Sequence, residues 1–290
     1  MVWLVGLVLP ALSLSGCFAK SGVMLHQEGI DATGKIAIVS VTMPRIADPT
    51  RDSNRAVLQT SLELAREQAA ESFHGFRSWS ILDLSGAQMK LARSFGAVSE
   101  HDVRAKFPDK ETGVRAGKEI QEARSRWKER YLGAENLPVV PRSALVPEPG
   151  HGQGEPLVQT MMLDQAGKLC AALGVDAVVF VHIHAAITHP REKTFIVREN
   201  RTDGALRMAQ SLVMVDRSGR IIADLGSPEL EKRTRTRDLL PVYLGAGKDA
   251  IRSENIDLGD SRKKVAQAIR SLIEETSADM DALFRKEAEN

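Results

Sequence analysis

Aromatic side chains are scarce in this 290-residue chain, at 4%. That scarcity argues against a base-stacking platform or a sugar-binding aromatic cleft. Cysteine is scarcer still. Cys17 and Cys170 are the only two, which excludes a disulfide framework. No charge of one sign dominates: Lys plus Arg is 39 and Asp plus Glu is 38, a formal net charge of +1. A dedicated nucleic-acid binder carries a basic surplus instead. No Gly-x-Ser-x-Gly elbow, His-Glu-x-x-His pair or zinc-finger spacing occurs. Hydrophobic residues at 43% and charged residues at 27% are ordinary proportions. They suffice to bury a core and exclude wholesale disorder.

Charge is also missing from the first sixteen residues, MVWLVGLVLPALSLSG. This apolar run is too short for a stable bilayer span, which needs about 20 residues. It has the length of a signal-peptide core. No basic residue precedes it, so an upstream translation start is one expectation. Leu14, Ser15 and Gly16 lead directly into Cys17. An aliphatic residue, two small residues and a cysteine make a bacterial lipobox. The small residues let a peptidase reach the backbone, and the thiol takes a diacylglyceryl group. Further acylation, as with palmitate, would hold the mature chain on a membrane, since each buried methylene contributes about 0.8 kcal/mol. Phe18 stands where an Asp would retain an enteric-type lipoprotein at the inner membrane. The expected location is therefore the outer membrane, facing the periplasm.

Residues 17–34 read as a tether after the 1–16 signal peptide, and 35–288 as a single α/β domain. Lys35 to Val41 (KIAIVSV) is a β-branched run, read as a buried strand. From Arg55 to Phe76, Leu58, Leu62, Ala65, Ala69, Phe73 and Phe76 recur at helical spacing. Ser78 to Leu84 reads as a second strand. The rhythm then breaks. A stripe of Val114, Ile120, Ala123, Trp127 and Tyr131 in a highly charged stretch predicts a surface helix. Pro138, Pro141, Pro147, Pro149 and Pro156 predict an extended linker. Residues at about 96–156 are thus read as a charged helical and Pro-rich insertion.

Val158, Met162, Gln165, Leu169 and Leu173 then form a helical stripe that Gly174 ends. Asp176 to Ile187 is a strand. Leu206, Met208, Leu212 and Met214 alternate along another. Asp216 to Gly219 is a turn signal, with Arg220 to Leu225 as the hairpin partner. Ser261 to Lys286 is a long amphipathic helix. The order predicts an α/β (α+β) fold, a small mixed β-sheet flanked by helices.

Three pieces carry a resemblance: the strand KIAIVSV, the junction Leu173-Gly174-Val175-Asp176-Ala177-Val178-Val179, and the hairpin Val215-Asp216-Arg217-Ser218-Gly219-Arg220-Ile221. In this order the chain is similar to the periplasmic lipoprotein superfamily that includes the curli secretion channel CsgG, the peptidoglycan-synthase activator LpoB and the N-terminal domain of TolB. The resemblance covers pieces from Lys35 to Leu225 and the last helix. It implies a small mixed sheet flanked by helices, and a role in assembly, secretion or regulation in the cell envelope. It supplies no catalytic residues.

His182 and His184, two apart on a strand, share a face as two metal ligands would, with His189 a candidate third. The plainer reading is the polar end of a core strand. Gly245 to Asp249 lacks the first Gly and the final Ser or Thr of a phosphate loop. Lys232, Arg233, Arg235 and Arg237 could meet anionic headgroups or an acidic partner, or simply protect a solvated edge strand. Cys170 within a helix reads as a small buried hydrophobe.

The expectation is a non-enzymatic lipoprotein that binds an envelope protein, with no cofactor beyond the lipid on Cys17 and no nucleic acid. Self-association into a homo-oligomer fits too. One alternative is a subunit of a CsgG-like secretion channel, which needs membrane strands of about ten alternating residues. Lys193 to Arg207 is the candidate tract. The other is a metal-dependent periplasmic enzyme using His182 and His184.

Overall fold

A computed structural model of the chain describes residues 23–44, 67–68, 71, 79–84, 86–95, 98–133, 137–146, 156–188, 204–226, 234–239 and 258–288. The lipobox, His189, Lys232, Arg233, the 245–249 loop and most of the 55–76 helix lie outside these. So do residues 193–203 of the Lys193 to Arg207 tract.

Val178, Val179, Phe180 and Val181 are apolar without alternation, and the reason is their place in the sheet. Strand β5 (Ala177–Thr188) lies between β2 (Lys35–Pro44), which is parallel to it, and β6 (Gly204–Asp216), which is antiparallel. Helices cover both faces, so neither face can be polar. The order is β1–β7–β6–β5–β2–β3, with β1 (Val23–Leu25), β7 (Ile221–Leu225) and β3 (Ser80–Ile81). Two further strands join the ends: β4 (Tyr131–Gly133) on β2 and β8 (Arg235–Leu239) on β6. The result is the expected α/β fold, an eight-stranded mixed sheet flanked by helices.

One face packs against α6 (Leu258–Ala288). Ile269, Leu272, Ile273, Met280 and Phe284 meet Ile36, Val179, Val181, Leu212 and Met214. Buried Gln210 of β6 fastens this helix by donating to Ile273 O at 3.1 Å and Thr276 Oγ1 at 2.8 Å. The other face packs against α2 (Gly86–Phe95), α3 (Glu100–Lys106), α4 (Lys110–Arg130) and α5 (Pro156–Leu173). There Phe95, Ile120, Trp127, Met162 and Leu169 meet Val39, Val178, Phe180 and Val213.

Two stretches differ from the sequence reading. The end of the expected tether is built into the fold: β1 pairs with β7, and α1 (Gln27–Asp31) buries Ile30. A three-residue strand and a five-residue helix are too short to show a period. The described parts of the expected insertion, 98–133 and 137–146, also contribute to the core. Helix α4 buries Gly113, Ala116, Ile120, Ala123 and Trp127, while Val114 is 69% exposed. The inward face is mostly small residues, which register weakly as hydrophobic but permit close packing. Residues 137–146 of the Pro-rich stretch likewise bury Val140, Ala144 and Leu145.

The motifs behind the resemblance have local structural causes. Asp176 Oδ2 accepts from the backbone of Gly34 at 3.1 Å and Lys35 at 2.9 Å, pinning the start of β2. Gly219, at φ +76°, closes the β6–β7 turn. Gly167 of α5 abuts that turn so closely that a Cβ would sit 2.8 Å from Arg217 O and 2.9 Å from Gly219 N. Replacing a helical Gly by Ala ordinarily stabilises a helix by up to about 1 kcal/mol. Here the neighbours are backbone atoms that cannot swing aside. Gly167→Ala is expected to destabilise the chain by about 1–3 kcal/mol in urea denaturation. A neutral or stabilising result would mean that α5 can ride off the turn.

Candidate functional site

Beyond Phe180, the β5 face that meets α2 to α5 turns polar. His182 and His184 follow at the same two-residue spacing, on the face expected from their sequence positions. Their rings lie perpendicular, with centroids 4.4 Å apart. His182 is closed off from several sides. Its Nδ1 shares a 2.7 Å hydrogen bond with Thr42 Oγ1 of β2. Tyr131, the first residue of β4, sets its ring edge-on at a centroid distance of 5.3 Å. His184 Nε2 and Ser211 Oγ of β6 lie 3.0 Å apart. That Ser211 hydroxyl also donates weakly toward His182 O at 3.4 Å.

A buried ion pair lies two strands over, at β7. Pro141 ends the extended stretch, and a 3-10 turn, Arg142–Ala144, follows. It delivers Arg142 to Asp224 of β7. Nε and Nη2 each bind one carboxylate oxygen, at 2.9 and 2.6 Å. Both residues are 7% exposed. Nearby, Ser40 Oγ donates to Pro138 O at 2.9 Å and accepts from Val140 N at 3.3 Å. Ser40 sits where β2 shifts register against β5, a bulge that re-aims the side chain.

Burial holds the His182 pKa well below the usual histidine value. The adjacent His184 ring and the Arg142 charge push it the same way. The folded form therefore keeps His182 neutral, while the unfolded chain takes up the proton near pH 6.5. The stability this represents is intact above that pH. It is lost as pH falls from there through the lower folded value.

The Ser211–His184 contact has the spacing of a nucleophile and its base. Ser211 is fully buried, however, so a substrate cannot reach its hydroxyl in this arrangement. Among the described residues, no three His, Cys, Asp or Glu side chains form a group able to hold a metal. Cys170 is buried, donates to Val215 O at 3.4 Å, and burial pushes its thiol up to about 12. It is an unreactive core residue.

Arg235 and Arg237 do lie on one face of β8, and their partners come from α6. Arg235 forms a two-pronged pair with Asp279 at 2.8 and 2.6 Å, and Arg237 pairs with Glu275. These two arginines thus fasten strand to helix.

Arg142, Asp224, Thr42 and Ser211 carried no signal in the sequence, and Tyr131, read as the end of a helical stripe, instead begins β4. The ion pair joins residues 82 positions apart, and the Thr42–His182 bond spans 140. A buried Arg inside a Pro-rich stretch reads as solvated until its partner is located. Neither a protein-family model, nor a curated protein, nor a solved structure matches the chain.

Proposed function

We propose that this chain is a lipid-anchored, non-enzymatic binding protein of the bacterial outer membrane, facing the periplasm and serving another envelope protein. The observation that carries the reading is the Leu14-Ser15-Gly16-Cys17 sequence after an uncharged apolar run. The geometry supports the non-enzymatic half. Among the described residues, Ser211, His182 and Cys170 are buried and bonded within the fold. Among the described residues, no helix is long and apolar enough to cross a membrane. A covalent lipid would supply the attachment in its place. The resemblance to the CsgG, LpoB and TolB superfamily supports an envelope role for a mixed sheet flanked by helices.

Radiolabelled palmitate fed to cells expressing the full chain is expected to label it and carry it into the membrane fraction. Cys17→Ser should abolish both. Label that persists in the Cys17→Ser chain, or a wild-type chain that takes up none, overturns the anchor. Crosslinking in intact envelopes then identifies the partner.

A further inference from the structure

The described fold begins at Val23, the first residue of β1, only six residues beyond Cys17. Whatever path residues 18–22 take, six residues of chain reach at most about 22 Å. Among the described residues, β1 is the outermost strand on its side of the sheet, five strand spacings from β3 in the order β1–β7–β6–β5–β2–β3. At about 4.8 Å per spacing, those two edges stand about 24 Å apart. Strand β4 shares the far side. Thr42 of β2 pairs with His182 of β5 on one side, so its pairing with Gly133 of β4 uses the other. Helix α4 runs directly into β4 at Tyr131, which puts its C-terminal end there too.

We propose that the lipid on Cys17 holds the chain by its β1 edge, with bilayer headgroups beside β1 and α1 and the β3–β4 edge turned toward the periplasm. This orientation rests on the proposed anchor and refines it. A lipidated Cys17 lies at the headgroup level, because its acyl chains are buried in the hydrocarbon below. With the β3–β4 edge against the bilayer, Val23 would stand at least about 24 Å away, before the side chains of that edge are counted, and the tether would fall short. Held by β1, the same tether has length to spare. The side chains near that edge suit a place beside the bilayer rather than within it. Met24 of β1 is 39% exposed, but Glu28 and Asp31 of α1 are exposed carboxylates. Carboxylates gain nothing from anionic lipid, so covalent reach, not charge, sets the orientation. The surface offered to an envelope partner is then the β3–β4 edge and the adjoining end of α4.

Spin labels on the full lipidated chain test this. The chain is reconstituted into vesicles of phosphatidylethanolamine and phosphatidylglycerol, doped with a lipid that carries gadolinium on its headgroup. Labels go to Glu28→Cys on α1 and Asp83→Cys just after β3, both exposed positions. Cys170 is buried and Cys17 carries the lipid, so neither competes for the label. Gadolinium is expected to relax the label at position 28 severalfold more strongly than the label at position 83, because dipolar relaxation falls steeply with distance. Inserting about 20 Gly and Ser residues after Phe18 gives the tether a typical span of about 25 Å and a far longer reach, and should erase most of that difference. Vesicle flotation reads the anchor separately: the lipidated chain should float and the Cys17→Ser chain should not. Equal relaxation at the two positions, or stronger relaxation at 83, in a chain that floats overturns the orientation and leaves the anchor standing. A difference that survives the longer tether overturns covalent reach as its cause. A chain that does not float, or a Cys17→Ser chain that does, overturns the anchor and the orientation with it.

Discussion

Arg142→Met is expected to cost about 3–5 kcal/mol, read as a lower urea midpoint at unchanged slope. The loss comes less from the missing attraction than from the carboxylate left behind. Asp224 is buried, and Arg142 supplies two hydrogen bonds to it. Without them it retains a charge that water cannot reach. The double variant Arg142→Met with Asp224→Leu removes both charges and should recover most of the loss, since buried ion pairs are often replaceable by apolar residues at little cost. A single variant no worse than the double would mean that water enters the site and solvates Asp224. For a protein whose whole stability is about 5–15 kcal/mol, the single change removes a large share.

Trp127→Ala should cost a similar amount, about 3–5 kcal/mol, as for other large buried aromatics. Val114→Ala on the same helix should change stability by less than about 0.5 kcal/mol. The contrast matters because hydrophobic spacing places both residues on one stripe. In the structure Trp127 is 8% exposed and packs with α5 and the sheet, while Val114 is 69% exposed. Thermal or urea denaturation of the two variants reads the difference directly. If Trp127→Ala is as mild as Val114→Ala, α4 is a dispensable surface element. A large loss makes α4 part of the core.

The long elements were legible from local pattern. Helix α5, strand β5, the β6–β7 hairpin and the last helix each extend far enough for a period to repeat. Gly174 and Gly219 marked their ends correctly because each adopts a positive φ, at 65° and 76°. The shared face of His182 and His184 was legible for the same reason, since strand geometry puts alternate residues on one side. Helix α4 was placed, and Ile120, Ala123 and Trp127 of its stripe do face inward, while Val114 does not. The inward residues that the stripe left out, Gly113 and Ala116, are small, and their size signals close packing only when a neighbour is in view.

The sequence by itself therefore determined the class of fold, the central strands, the paired histidines and, through Leu14 to Cys17, the expectation of a lipid anchor. These depend on residues adjacent in the chain or repeating along a single element. Only the tertiary structure decided what surrounds the histidines. It brought Thr42, Tyr131 and Ser211 to them from three other strands, and it joined Arg142 of a 3-10 turn to Asp224 of β7. It also set the partners of Arg235 and Arg237 on α6. Hydrogen bonds and ion pairs act over a few ångströms in space, whatever the distance along the chain. The long connections between these partners leave no periodic trace of which groups will meet.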